Sequence, residues 1–463
     1  MYVFVPRKKN FGLHAQTAAT CVQRRVRVCV CVCVCVEVQG RGVRQRCKAE
    51  VQVCRVLRQR RMWRSVLRGC GVGRVLASSA ALGGIASSSL DLGGNNAPGS
   101  SWLAGKRTMA DIRGLVTLSA LDVETDGDIT FRDDCGLNDD NVHISALVRG
   151  ATIRRARDTV LSATRRWSDN TLVVRVMWPD GGKQPTESAD VEIAFGSKFK
   201  RVHLKGDHGR VYCRQQHGTC DVQTTSGPVY VDGHFGDVHV QTGSGPVHLF
   251  SIQGSASAVT DSGHVTVFGV DGAFEGHSTS GDIEAKFVHG RCMLETVSGN
   301  VFAAVMVLGK PVDAASCTGS VEACHISGPV KLRATTGTVT ARHVDGGLTA
   351  ETTTGPITAG YVTGLFAAKS DGGDVAVHML NGSAAVETRG AGTVTVELCS
   401  SGPVDITTQD GNVNLSIGRQ FEGALHTVSA HDGTRTILES STGPVSAVRT
   451  DTGTIHVAGS QVA

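Results

Sequence analysis

Glycine returns every nine residues through the second half of this chain. From Gly209 it stands at 218, 227, 236, 245, 254, 263, 272, 281, 290 and 299, an unbroken series of nine-residue intervals. The series runs on to Gly411, with intervals stretched to ten only between 299 and 319 and between 382 and 402. A fixed short period marks a repeat architecture, in which each unit buries its apolar face only against its neighbours. The period accounts for a glycine content of 57 in 463 residues, where about 7% is usual.

The residues between glycines carry a second regularity. Two positions after Gly stand Val211, Cys220, Val229, Val238, Val247, Ala256, Val265, Phe274, Ile283, Cys292 and Val301. Four positions after it the residue is again apolar and often small, as in Val240, Leu249, Ala285, Leu332 and Ala341. The position between is mixed, as in Tyr230, His248, Glu284 and Thr340. Apolar residues at period two predict a strand with one buried face.

One nonapeptide thus makes one short strand and one turn, and the turns alternate. One kind reads Thr225-Ser226-Gly227, Asp261-Ser262-Gly263 or Thr279-Ser280-Gly281; the other places Ile252, Val270, Val288, Ile326 or Val344 two positions before Gly. The full repeat is then an 18-residue (9+9) coil, and each strand pairs in parallel with its equivalent in the next coil. Glycine serves such corners by adopting φ > 0 or by letting backbones approach closely. The expectation is an all-β protein, a parallel β-solenoid of about 11 coils and roughly 50 Å.

The rest of the chain divides around this rod. Residues 1–61 read as a low-complexity basic extension without order, marked by the run Cys29-Val30-Cys31-Val32-Cys33-Val34-Cys35. Alternating Val-Cys has no CxxC chelate turn and no nearby His, which argues against a metal tract. Residues 62–108 read as a presequence and linker. Met62-Trp63-Arg64-Ser65-Val66-Leu67-Arg68 opens a stretch that is rich in Arg and Ser and has no acid before Asp91, as in a mitochondrial import signal. Residues 109–205 read as a small β-rich N-terminal cap and 206–459 as the solenoid. After Gly418 the period loosens, then Gly433, Gly443 and Gly453 resume at ten-residue spacing, as a terminal cap.

At these turns the chain resembles a known family. Thr279-Ser280-Gly281-Asp282-Ile283 and Asp371-Gly372-Gly373-Asp374-Val375 are similar to the Ser-Gly-Asp-Val repeats of the bacterial putative-adhesin domain. Asn170-Thr171-Leu172-Val173-Val174-Arg175-Val176, followed by Asp190-Val191-Glu192-Ile193, resembles the way that domain begins. The resemblance covers roughly residues 120–460 and implies a solenoid; the family's eukaryotic members include mitochondrial ones. Pro228, Pro246, Pro329, Pro356, Pro403 and Pro444 stand after Gly where the family more often has Asp. The family offers no active site to carry across.

Charge and residue patterns narrow the function further. Residues 1–90 hold 17 Arg and Lys and two acids, leaving 29 basic and 40 acidic residues beyond. An acidic folded part lacks the basic footprint of a nucleic-acid binder. No stretch reaches the ~18 uninterrupted apolar residues of a membrane helix. Stacked calcium turns would need GGxGxD, whereas Asp237, Asp282 and Asp374 are scattered. A polysaccharide-cleaving β-helix would need paired carboxylates on neighbouring coils; Glu284 and Glu322 lie two coils apart with no basic cluster.

The remaining candidates fall short as well. His234, His239, His248 and His264 occupy different slots and so cannot converge on a metal, and Cys213, Cys220 and Cys292 fall in inward slots as small hydrophobes. Thr338-Val339-Thr340 and Thr393-Val394-Thr395 resemble ice-binding faces, but the coils between them do not repeat the pair. No catalytic, cofactor-binding or metal-binding residue is singled out and no cofactor is implied. The expectation is a non-enzymatic interaction or structural module with an unidentified protein partner, mitochondrial in location. The alternative is a secreted or surface β-helix that is adhesive or carbohydrate-active in the manner of pectin lyases.

Overall fold

The structure, a computed structural model, describes residues 104–459 apart from 113–117, 134–141, 181, 196–198, 307–308, 401, 419–423, 430–434 and 439–444. The basic extension and most of the presequence-like stretch lie outside the described residues. The remainder is a parallel β-solenoid of about 12 turns of roughly 18 residues, or roughly 60 Å at ~4.8 Å per rung. Each coil gives one strand to each of two facing ladders. Ladder I contains Thr219–Thr224, Val238–Thr242, Ala256–Thr260 and their successors. Ladder II contains Val211–Arg214, Val229–Asp232, Val247–Ile252 and theirs.

The offset between paired strands is the predicted single coil: Val229 pairs with Val247, Val247 with Val265 and Val265 with Ile283. The longer intervals are absorbed in the corners, so Val301 meets Val321 and Ala384 meets Val404 without loss of ladder. Residues two and four after each corner Gly point inward and are buried, as Val247, Leu249, Val265, Val267, Ile283 and Ala285 show. Because the two ladders face each other across a thin interior, small side chains fill it. Phe274 and Phe366 apart, the largest gather at the N-terminal end, where Phe131 stacks on Phe195 at 4.3 Å and Phe199 tilts against both.

The corner glycines are required by close approach. A Cβ built on Gly263 would lie 2.0 Å from the carbonyl oxygen of Gly245, and one on Gly281 2.0 Å from that of Gly263. Stacked corners pass so near one another that a methyl group has no place. The corner after ladder I is also closed by a buried hydroxyl three positions before Gly. Thr260 Oγ1 accepts the Gly263 N–H at 2.8 Å, Ser278 Oγ that of Gly281 at 2.8 Å, and Ser316 Oγ that of Gly319 at 2.9 Å. Ser316 also donates to the Gly299 carbonyl of the preceding rung at 2.8 Å. Each hydroxyl therefore satisfies an amide within its own turn and can bind the rung before it.

Thr224 and Thr408 in the same slot instead donate to the Gly227 and Gly411 carbonyls at 3.1 and 2.9 Å, and two further departures expose how this clamp works. Ala334 occupies the slot before Gly337 and offers no acceptor. At Thr388 the interval to the next corner is one position longer, the glycine is displaced, and the hydroxyl is buried without a partner.

The corner after ladder II is built differently. Ser251, Phe287, His325, His343, Tyr361 and Met379 all have φ near +55°, with Gly233 and Gly269 in the same slot. One left-handed residue interrupts the in–out alternation and turns the next residue inward. That is why Ile252, Val270, Val288, Ile326, Val344 and Val362 are buried.

The ends of the rod do not follow chain order. Ala120–Glu124 lies between Thr171–Met177 and Arg201–Lys205, so residues of the predicted cap form coils themselves. The open end of ladder II is covered by the antiparallel strand Val142–Gly150, which pairs with Ser188–Phe195 and on its other edge with Ala104–Ile112. Ladder I is covered by the antiparallel Val160–Arg166. At the far end Ile455–Gly459 returns to pair with Val413–Ile417, and Arg435–Leu438 runs antiparallel to Ala424–Ser429. Antiparallel strands at the ends break the parallel template that would otherwise recruit another chain.

The N-terminal cap is fastened by a buried ion pair. Arg155, on the short helix Ile153–Asp158, grips Glu187 at 2.6 and 3.0 Å, and the N–H groups of Gln184 and Ala151 add bonds at 2.8 and 3.2 Å. The Arg155 guanidinium first, then these amides, hold the Glu187 carboxyl down to about 2 against the opposing effect of burial.

The clamp and the cap each yield an expected outcome. Ala334→Ser supplies the missing acceptor and is expected to raise the free energy of unfolding in urea by about 1 kcal/mol. Gly281→Ala should lower it by about 2 kcal/mol, as overpacking does; equal effects from the two would contradict the clamp. For the cap, Glu187→Ala should speed its proteolysis markedly, because it leaves Arg155 without its partner. Since the folded carboxyl is depressed, its stabilisation is complete above the ordinary value of 4.5 and is lost as pH falls towards 2. Limited proteolysis of the cap across that range should show the loss in the natural protein and a flat profile in Glu187→Gln.

Candidate functional site: a groove along one corner of the rod

Ladder I presents a charged outer face. Its outermost column runs Val259, His277, Glu295, Ala315, Arg333, Glu351 and Lys369, each paired with the next across one rung. Ion pairs stitch neighbouring rungs, Lys331 to Glu351 at 3.7 Å, Arg333 to Asp313 at 2.9 Å and Lys369 to Glu387 at 3.2 Å, and His277 Nδ1 lies 3.5 Å from Glu295. These side chains are well exposed, so each pair is worth about 0–1 kcal/mol and mainly sets the polarity of the surface.

Between this column and the turn residues lies an open groove of about 710 Å³. Its floor is the hydroxyl row Thr260, Ser278, Thr296, Ser316 and Thr352, interrupted by Ala334. The far wall is built from the turns, including Asp261, Thr279, Val297, Cys317 and Thr335. Small residues at Ala315 and Ala334 leave its middle open, while charges of both signs flank it. The groove follows the rod axis, so an extended chain suits it better than a compact ligand.

The floor hydroxyls are engaged with corner amides, which leaves them poor nucleophiles. Elsewhere, one constellation looks catalytic: Ser226 Oγ lies 2.7 Å from His208 Nδ1, and His208 Nε2 3.2 Å from Asp207. It stands on exposed turns, and the amides of Thr225, Ser226 and Gly227 all donate to the Asp207 carbonyl at 3.1, 3.0 and 3.4 Å. Those amides are not free to stabilise an oxyanion, so the arrangement is a turn contact. It joins neighbouring coils, which nothing in the local sequence signals.

The residues weighed from the sequence are dispersed. Glu284 and Glu322 share a column of ladder II with Phe302 between them, about 10 Å apart along the ladder. Glu284 pairs with the buried Lys286, whose ammonium sits 5.2 Å from the Phe302 ring. The space between the two carboxylates is thus filled by an aromatic ring.

The histidines separate likewise. His239 lies on ladder I, His248 on ladder II stacked on Tyr230 at 4.9 Å, His264 on an exposed turn, and His234 inside the core. Burial, and then His264, hold the His248 imidazole below its usual range. Thr340 stands between Glu322 and Thr358, Thr338 donates to Ser320 at 2.8 Å, and Thr395 faces Ala376. Cys213, Cys220 and Cys292 are buried as their slots require. Among the described residues no group of three or more His, Cys, Asp or Glu is arranged to hold a metal ion, and no helix is long and apolar enough to cross a membrane.

The comparisons with known proteins bear on this domain. No curated protein matches the sequence. Similar solved structures include the crystal structure of a putative adhesin from Parabacteroides distasonis, 14% identical, covering 61% of this chain and 97% of that one with a TM-score of 0.21. A putative adhesin from Bacteroides fragilis is 12% identical, covering 75% and 97% with a TM-score of 0.20. Residues 183–307, which hold the unbroken series of nine-residue intervals, match the family described as Toastrack DUF4097. Over those residues the chain is similar to the Toastrack DUF4097 family, in keeping with the putative-adhesin type that its Ser-Gly-Asp-Val turns resemble.

Proposed function

We propose that this protein is a non-enzymatic binding module which holds an extended segment of a partner protein in the corner groove, and that it acts in mitochondria. The observation that carries the reading is the groove itself: a surface of repeated register, open along several rungs, with charges of both signs on its wall and small residues at its centre. A solenoid family domain supports an interaction role in general. An extended polypeptide offers backbone amides and alternating side chains to such a wall. The mitochondrial location rests on the Arg- and Ser-rich, acid-poor stretch from Met62.

Site-specific photo-crosslinking tests the binding reading. A photoreactive residue at Thr335 is expected to capture a partner from mitochondrial extract, and the same residue at Thr358 on ladder II to capture at most a tenth as much. Ala315→Trp, which fills the middle of the groove, should abolish the Thr335 crosslink while leaving thermal unfolding unchanged. Equal capture from both positions, or survival of the crosslink in Ala315→Trp, would overturn the site. Cleavage of a polysaccharide by the purified chain, abolished in Glu284→Gln, would favour the carbohydrate-active alternative instead. For location, residues 62–108 fused to a fluorescent reporter should direct it to mitochondria; a reporter that stays cytosolic contradicts that part of the proposal.

A further inference from the structure

The first regular coils depart from the pattern of all that follow. The slot after the left-handed residue holds a buried aliphatic side chain in coil after coil, from Ile252 to Leu380. In the two coils nearest the N-terminal cap the same slot holds Gln216 and His234, both fully buried. His234 Nε2 lies 2.8 Å from the Gly218 carbonyl, so that nitrogen carries the proton and Nδ1 presents a lone pair, which has no hydrogen-bond partner. Gln216 reaches Phe199 O at 3.4 Å and His217 O, and its Oε1 is likewise buried without a partner. Burying unpaired polar atoms is costly, and in this interior they accompany two thiols.

Those thiols are Cys213, from ladder II, and Cys220, from ladder I. They face one another across the interior with their sulfurs 3.7 Å apart, Cys220 donating to Cys213. The Cys220 hydrogen bond, with His234 adding to it, draws the Cys213 thiol below its ordinary range against the effect of burial, while Cys220 is pushed up. Cys292, buried in aliphatic surroundings, is pushed up to about 12 by burial alone. Among the described residues no third ligand completes a metal site here. The geometry leaves the two sulfurs to each other.

We propose that Cys213 and Cys220 are a redox-active pair that closes to a disulfide when the chain meets a small-molecule disulfide oxidant. The chemistry balances. Cys213 loses its proton to solvent while the corner is still open, and the thiolate attacks one sulfur of the oxidant RSSR, releasing RS⁻. Cys220 then attacks the Cys213 sulfur, forming the protein disulfide and releasing the second RS⁻. The two thiol protons end on the two departing thiolates, and two electrons pass to RSSR. The sulfurs need only close from 3.7 Å to the ~2.05 Å of a disulfide. They flank a single corner of the chain, so they meet as soon as that corner forms, before the coils above seal the interior. The bond would pin the first regular coil to itself next to the cap.

The experiment uses the full chain, unfolded in reductant, refolded with oxidised glutathione as the probe, quenched with an alkylating agent under denaturing conditions and mapped by mass spectrometry. The expected product is a linked Cys213–Cys220 peptide lacking two hydrogens, with Cys292 recovered alkylated. Recovery of Cys213 and Cys220 as alkylated thiols, or their linkage mainly to Cys317 or Cys399, would overturn the pair.

Discussion

Everything in this rod depends on how closely its corners stack. Successive rungs are one β-spacing apart, and at each corner the backbone of one coil lies against the carbonyl of the coil below. At Gly355 a Cβ would come within 1.9 Å of the Gly337 oxygen, a distance no side chain tolerates. The glycine period is therefore the imprint of backbone contact along the rod axis. The hydroxyl three positions earlier completes the corner by accepting the amide that the tight approach would otherwise strand in the dry interior. Repetition makes these small terms count: each bond is worth about 1 kcal/mol, and the corner recurs in coil after coil.

The two corners solve the same problem by different means, and this shapes the surfaces between them. After ladder I the alternation is kept, and its last inward position falls on Thr or Ser. After ladder II one left-handed residue breaks the alternation, and the inward position falls on an aliphatic side chain. The first solution leaves a polar floor beside the charged column of ladder I, and that is the groove. The second lifts one side chain per coil to the edge of the rod, where His325 stacks on His343 at 4.6 Å and Tyr361 follows at 5.7 Å.

Much of this was legible in the chain itself. The nine-residue period, the inward slots at two and four, the 18-residue coil and the parallel offset are all consequences of period-two burial repeated at fixed spacing. The apolar residue before alternate glycines was visible too, but its cause was not, because residues as unlike as Ser251, Phe287 and His343 share the left-handed slot. The clamp was half visible: Thr and Ser crowd the turns, and only the structure separates the buried hydroxyl from its exposed neighbours. The insertion of Ala120–Glu124 between later strands was not legible, since a strand paired out of chain order carries the same alternation as one paired in order. The groove was equally hidden, being made by column neighbours a full coil apart in the chain.

The measurement that tests the central claim most directly is residue-resolved amide hydrogen exchange at the corner glycines. The amides of Gly263, Gly281, Gly299 and Gly319 are closed by the hydroxyls three positions before them. Slow exchange is predicted at all four, and markedly faster exchange at Gly337, which follows Ala334. Uniform protection along the column, with Gly337 as slow as its neighbours, would show that the corners are held by something other than the hydroxyl clamp.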